Sequence, residues 1–300
     1  MKNLVSIKDL TKEEIIALLE EAKIRKANPS PSLLKGYLMA SCFFEPSTRT
    51  RFSFESAMKR LGGEVLSCAD GSGSSMAKGE TLFDTIKTIG LYSDLVVLRH
   101  PAEGSAKVAS EATTRPVINA GDGANEHPTQ TLLDLFSIQE SQGRLEGLKI
   151  AFVGDLLYGR TVHSLALSMH HFENRLYFVS PPTLQMPDKI CEKLRRQGIP
   201  FSFHQSIEEV LGKVDILYMT RVQKERFPDQ DSFEKRSQGY RLTVEMLAKA
   251  KENLRVLHPL PRLQEISPEV DKTPYAYYFT QAENGVYVRQ ALLTKLLGVR

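Results

Sequence analysis

The 300-residue chain is 41% hydrophobic and 25% charged, with no tryptophan, a composition that fits a globular protein of two domains. A net charge of +3 and a pI near 8.6 arise without any Lys/Arg block interleaved with aromatics, which argues against nucleic acid as a partner and for small anions. No apolar run approaches the roughly 20 residues of a membrane span, and Met1 to Ser6 holds no apolar signal core. A cytoplasmic protein without a membrane partner is expected.

In chain order, Thr11-Lys12-Glu13-Glu14 forms a capping box that leads into Ile15, Ile16, Leu18 and Leu19. The apolar run Leu38 to Phe44 is followed by a helical pattern through Phe52, Phe54, Met58 and Leu61 that stops at Gly62-Gly63. A helix is expected from Thr81 to Ile89, and Leu95 to Leu98 and Pro116 to Asn119 read as buried strands. His127 to Gln142 predicts a long helix between two series of elements. Beyond Gly147, strands are expected at Lys149 to Val153, Leu176 to Val179 and Asp215 to Tyr218, each followed by a helix or loop. This alternation predicts an α/β fold of two doubly wound parallel-sheet domains joined by an interdomain helix. Cys42, Cys68 and Cys191 lack metal or redox spacing, so reduced, mostly buried thiols are expected and no metal site.

The densest chemistry lies at Ser47-Thr48-Arg49-Thr50-Arg51, at the expected start of a helix. Hydroxyls, guanidiniums and first-turn N–H groups converge there, as an anion such as phosphate requires. A capped, solvated helix start would carry a similar composition. Other polar residues fall where strands end, the edge along which open α/β sheets bind ligands. They are Arg99-His100-Pro101, Asn125 to Gln130, Gly154-Asp155 with Gly159-Arg160-Thr161, Thr220 to Gln223 and His258 to Arg262. Each of these loops carries an arginine or histidine, a recurrence that solvation alone explains poorly.

Several alternatives are absent. Val153-Gly154-Asp155 follows a strand but does not continue as G-x-G-x-x-G, and the sequence has no P-loop, nucleophile elbow or H-E-x-x-H helix. Ser74, Ser75, Lys78, Gly79 and Glu80 form a polar, Gly-rich segment with two readings. It is a surface loop, or a lid that brings a lysine to an anion on hinges at Gly71, Gly73 and Gly79.

Taken together, the Ser47 to Arg51 motif, His127-Pro128-Thr129-Gln130, Asp155 with Tyr158 to Ser164, Thr220 to Arg226 and His258-Pro259-Leu260-Pro261-Arg262 resemble the aspartate carbamoyltransferase family of catalytic chains. Pro259 stands where ornithine carbamoyltransferases carry a cysteine. The resemblance implies transfer of the carbamoyl group of carbamoyl phosphate to the α-amine of L-aspartate, a step of pyrimidine biosynthesis that needs no cofactor. It divides the chain into a carbamoyl-phosphate-binding domain, residues 1–129 with a C-terminal helix at 280–300, and an aspartate-binding domain at 130–279.

By the same resemblance, Ser47, Thr48, Arg49, Thr50 and Arg99 hold the phosphate, while Thr50, Arg99 and His127 face the carbonyl oxygen. Gln130 and the backbone at Leu260-Pro261 hold the carbamoyl amide. Arg160, Thr161, Arg221 and Gln223 hold aspartate, with Lys78. Ser74 and Lys78 sit on the loop that in this family reaches a neighbouring subunit, which implies a homotrimer with shared active sites. Glu45, Arg160 and Arg226 match residues that bridge the domains in relatives. Ala77 and Gln264 depart from the family pattern, where a second lysine and an aspartate are common. A regulatory chain as a further partner is not readable from this sequence. The rival classes are a non-catalytic anion sensor and a nucleic-acid binder, and the matched catalytic positions and mild charge disfavour them.

Overall fold

The computed structural model describes residues 1–69, 78–221 and 240–299. The chain forms two compact units, Met1–Phe136 with Glu283–Arg300, and Ser137–Ala282.

The first unit is built on β1 (Leu38–Phe43), β2 (Glu64–Ala69), β3 (Leu95–His100) and β4 (Val117–Asp122), all parallel, in the spatial order β2-β1-β3-β4. Its helices are α1 (Lys12–Ala27), α2 (Thr48–Arg60), α3 (Leu82–Tyr92) and α4 (Ser105–Ala112). Strands covered on both faces must be apolar at nearly every position, and Ala40, Cys42, Val96, Leu98 and Val117 are buried together with Ile86 of α3 and Ala109 of α4. The expected capping box starts α1, where Thr11 Oγ1 accepts from Glu14 N at 3.3 Å and Glu14 Oε2 accepts from Thr11 N at 3.1 Å. Past the end of α2, Gly62 has φ +83, and a Cβ there would lie 2.3 Å from the Pro31 carbonyl oxygen. Only glycine fits that stop.

The second unit carries β5 (Lys149–Val153), β6 (Arg175–Val179), β7 (Phe201–His204), β8 (Ile216–Met219) and β9 (Arg255–Leu257), again all parallel, in the order β7-β6-β5-β8-β9. Val153, Val179, Leu217, Met219 and Val256 share one buried cluster with Leu242 and Tyr278. The chain leaves the first unit within α5 (Pro128–Gln142) and returns within the C-terminal helix Tyr278–Leu297. The fold is therefore the expected pair of doubly wound parallel sheets joined by helices. No helix among the described residues is long and apolar enough to cross a membrane.

The residues of two strands were not anticipated. β2 and β7 are both sheet edges, and Glu64 to Cys68 and Phe201 to His204 are half-buried or exposed rather than forming a continuous apolar run. β4 extends past the expected Asn119 to Asp122, and both polar residues are buried there. They satisfy each other, since Asn119 Nδ2 donates to Asp122 Oδ1 at 2.9 Å. In each sheet the strand order reverses at one place, between β1 and β3 and between β5 and β8. Those reversals leave a crevice at the carboxyl ends of the paired strands.

Candidate active site

In the first unit the reversal point gathers the anion motif. β1 ends at Phe43, and α2 begins five residues later with Ser47 as its N-cap. The Ser47 side chain makes no capping bond, and the first turn of α2 holds no acid. Hydroxyl, helix N–H groups and the positive end of the helix are thus left for a ligand. Arg49 is exposed, with no hydrogen-bond or ion-pair partner among the described residues. Partial desolvation lowers its pKa from the usual arginine value, an effect that a bound phosphate would oppose.

Arg99 lies across the reversal, paired in register with Phe43. Its guanidinium is held by Glu45 Oε2 at 2.8 Å and donates to the Ala120 carbonyl at 3.2 Å. Thr50 Oγ1 and His127 Nε2 are 3.4 Å apart, both buried. Gln130 Nε2 donates to Asp134 Oδ1 at 2.8 Å. The structure therefore gathers Thr50 with His127 in one cluster and orients Arg99 and Gln130 through carboxylates of their own unit. Lys78 is exposed, next to Gly79 with φ +93. Ser74 lies outside the described residues.

The loop that presents His127 is tied down by two carboxylates, Asp122 and Glu126, whose supporting role had no signal in the sequence. Asp122 accepts from Gly104 N at 3.0 Å, from Asn125 Nδ2 at 3.0 Å and from Glu126 N at 3.2 Å. Glu126 accepts from Ser6 Oγ at 2.7 Å and Ile7 N at 3.0 Å, and pairs with Lys8. Buried carboxylates saturated with donors are rigid supports. No local motif marks them, because Ser6 and Glu126 stand 120 residues apart.

The second unit repeats the arrangement at its own reversal. After β5, Asp155 Oδ1 accepts from Tyr158 N at 3.0 Å, turning the chain into α6 (Arg160–Ser168) with Gly159 as N-cap. A Cβ on Gly159 would meet the Asp155 carbonyl at 2.7 Å. Arg160 and Thr161, both half-buried, open a helix whose first turn again lacks acids. His163 is held at Nε2 by the Leu156 carbonyl at 2.7 Å, and burial lowers its pKa against that bond. Next to β5, Thr220 Oγ1 donates to the Val153 carbonyl at 2.9 Å, which fixes the start of the loop bearing the half-buried Arg221. Gln223 lies outside the described residues, as does Arg226.

Beyond β9 the turn at Leu260-Pro261 is clamped from both sides. Leu260 N donates to His258 Nδ1 at 2.8 Å, so His258 carries its proton at Nε2 and gives it to Glu265 Oε1, also at 2.8 Å. Burial raises the Glu265 pKa, but the bond from His258 and the backbone N–H groups of Leu263 and Glu265 together outweigh it, and the carboxyl sits below its usual value. Arg262 pairs with Asp271 and donates to Tyr278 OH at 2.8 Å. Leu260 itself has φ +54, an unusual conformation for a branched residue. Backbone held so firmly can present its carbonyl to a ligand.

Residues 2–140 match the family described as aspartate/ornithine carbamoyltransferase, carbamoyl-P binding domain, and residues 146–296 match its Asp/Orn binding domain. The aspartate carbamoyltransferase catalytic subunit of Chromobacterium violaceum is 57% identical over 296 residues, covering 99% of this chain and 98% of that protein. The chain belongs to the aspartate/ornithine carbamoyltransferase family. The catalytic subunit of M. jannaschii aspartate transcarbamoylase superposes with a TM-score of 0.94 at 50% identity, covering 99% of this chain and 98% of that one. Aspartate transcarbamoylase from Trypanosoma cruzi, in complex with carbamoyl phosphate and aspartate, superposes with a TM-score of 0.89 at 39% identity, covering 97% and 95%. Within this family, the two clusters of cations and hydroxyls fall one in each matched domain.

Proposed function

We propose that this chain transfers the carbamoyl group of carbamoyl phosphate to the α-amine of L-aspartate, giving N-carbamoyl-L-aspartate and phosphate. The observation that carries the reading is the repeated site plan. Each sheet reverses beside a helix start that bears arginine and threonine and no acid, one suited to a phosphate and the other to carboxylates. The Trypanosoma cruzi protein, whose structure holds carbamoyl phosphate and aspartate, supports the pairing of ligands.

In this reading the phosphate sits on Ser47, Thr48, Arg49, Thr50 and Arg99. Thr50, Arg99 and His127 donate to the carbonyl oxygen, and Gln130 with the carbonyl groups at Leu260 and Pro261 orients the carbamoyl amide. Arg160, Thr161, Arg221, Gln223 and Lys78 hold the two carboxylates of aspartate. The neutral amine attacks the carbonyl carbon, forming the C–N bond and a tetrahedral oxyanion. The C–O bond to phosphate then breaks, and the departing phosphate takes the proton lost by the amine. No covalent bond to the protein forms, so the rate rests on orientation and on donors preorganised for the oxyanion, each worth about 3 kcal/mol.

The assembly that completes the site is a homotrimer in the cytoplasm, with Ser74 and Lys78 of one chain serving the site of the next. The deciding experiment is a carbamoylation assay with a panel of amino acids, read as phosphate release. Aspartate should be the strongly preferred acceptor, and equal rates with ornithine would overturn the assignment.

A further inference from the structure

Arg289, on the C-terminal helix, is 3% exposed and belongs to the same unit as the phosphate cluster. Its Nη1 donates to Ser53 Oγ at 2.8 Å, its Nη2 donates to Thr129 Oγ1 at 3.4 Å, and its guanidinium lies 4.8 Å from the centre of the Phe54 ring. Burial pushes its pKa down to about 9, against the opposing charge of Asp134. A buried cation of this kind is costly unless it organises its surroundings.

Thr129 links it to the reaction centre. The residue is fully buried, and its hydroxyl lies 3.4 Å from His127 Nδ1. A guanidinium can only donate, so the Thr129 oxygen accepts from Arg289 and its own proton needs another acceptor. The described acceptor within reach is His127 Nδ1. An imidazole that accepts at Nδ1 carries its proton at Nε2, the atom 3.4 Å from Thr50 Oγ1.

We infer that Arg289 acts through Thr129 as a positioning residue that holds His127 in its neutral Nε2–H tautomer, so that this N–H is the one offered to the substrate carbonyl oxygen. The inference rests on the role given to His127 under the proposed function. Arg289 also grips α2 through Ser53, three residues from Thr50, and Asp134 holds Gln130, so one buried guanidinium borders the supports of three proposed site residues.

The test uses full-length protein labelled with 15N only at histidine, studied by 15N NMR at neutral pH, with His127→Gln to assign the signal. Wild type should show His127 protonated at Nε2 and bare at Nδ1. Thr129→Val, which removes the hydroxyl and keeps the shape, should move His127 toward the Nδ1–H form and lower kcat about tenfold or more, with the KM for carbamoyl phosphate nearly unchanged. Thr129→Ser should keep the wild-type signal, and Arg289→Met, which removes the donor, supplies a second variant if Thr129→Val does not fold. A wild-type His127 protonated at Nδ1, or a tautomer unmoved in the folded Thr129→Val or Arg289→Met protein, would overturn the inference. A shifted tautomer with unchanged kcat keeps the relay and removes the catalytic role of His127 instead.

Discussion

Gly154 and Thr220 face each other across the point where the second sheet reverses. Gly154 has φ +113, and a Cβ built on it would lie 2.5 Å from the Thr220 carbonyl oxygen. The two residues continue β5 and β8, which pair in register up to Val153 and Met219. Close backbone approach there sets the path of the chain into Arg221.

Gly154→Ala should therefore cost about 1–3 kcal/mol of stability, from the disfavoured backbone and the clash together. It should also raise the KM for aspartate, because Thr220 must move to make room. Chemical denaturation and steady-state kinetics check both parts. An unchanged midpoint would show that the loop gives way without strain.

Arg49 and Arg221 should separate the two substrates. Arg49→Ala is expected to weaken carbamoyl phosphate binding and cut turnover roughly 10²–10³-fold while circular dichroism stays native. Arg221→Ala should raise the KM for aspartate roughly 10–100-fold and leave that for carbamoyl phosphate nearly unchanged, since it removes a charge-assisted partner of a carboxylate. Reversal of this pattern would reassign the two units.

Asp215 links the second unit's stability to pH. Burial raises its pKa, but Lys251, the Asn253 amide and the Lys149 N–H outweigh burial and hold the carboxyl below 3.8. A carboxyl depressed in the folded state adds stability above its unfolded pKa and loses it as pH falls through the lower, folded value. Urea midpoints of Asp215→Asn should lie below those of wild type at pH near 7, and the gap should close on acidification past the folded pKa. A gap that is constant with pH would mean that Asp215 contributes shape rather than charge.

Subunit mixing tests the shared site. Lys78→Ala and Arg49→Ala should each be nearly inactive, yet mixing them should restore part of the activity, because some interfaces will join an intact Lys78 to an intact Arg49 site. Exchange is verified by mass before the assay. Absence of recovery after exchange would make each chain self-contained.

Much of the fold was legible along the chain because its signals are local. Continuous apolar runs such as Val96 to Leu98 and Ile150 to Val153 declare strands buried on both faces, and the Thr11 to Glu14 box declares a helix start. β2 and β7 escaped because these two edge strands are half-buried or exposed and lack that run, whereas β4, also an edge, is buried throughout and was legible. The arginines and hydroxyls at strand ends were visible as well, since a parallel sheet places its loops on one side whatever the details.

What the order of residues could not reveal is which donor each of these groups meets. Ser47 reads as an N-cap, yet its hydroxyl does not cap α2. Thr129 and Arg289 are 160 residues apart and Ser53 and Arg289 are 236 apart, yet the fold sets each pair within hydrogen-bond distance. The one sign of Arg289 in the sequence was a charge set among Val288, Ala291 and Leu292, which are buried with it. A hydrogen bond acts over about 3 Å and only along its axis, so its partners depend on how distant segments pack. Residue type and local pattern determined the elements and the class of ligand, while packing alone decided the proton positions and supports of the site.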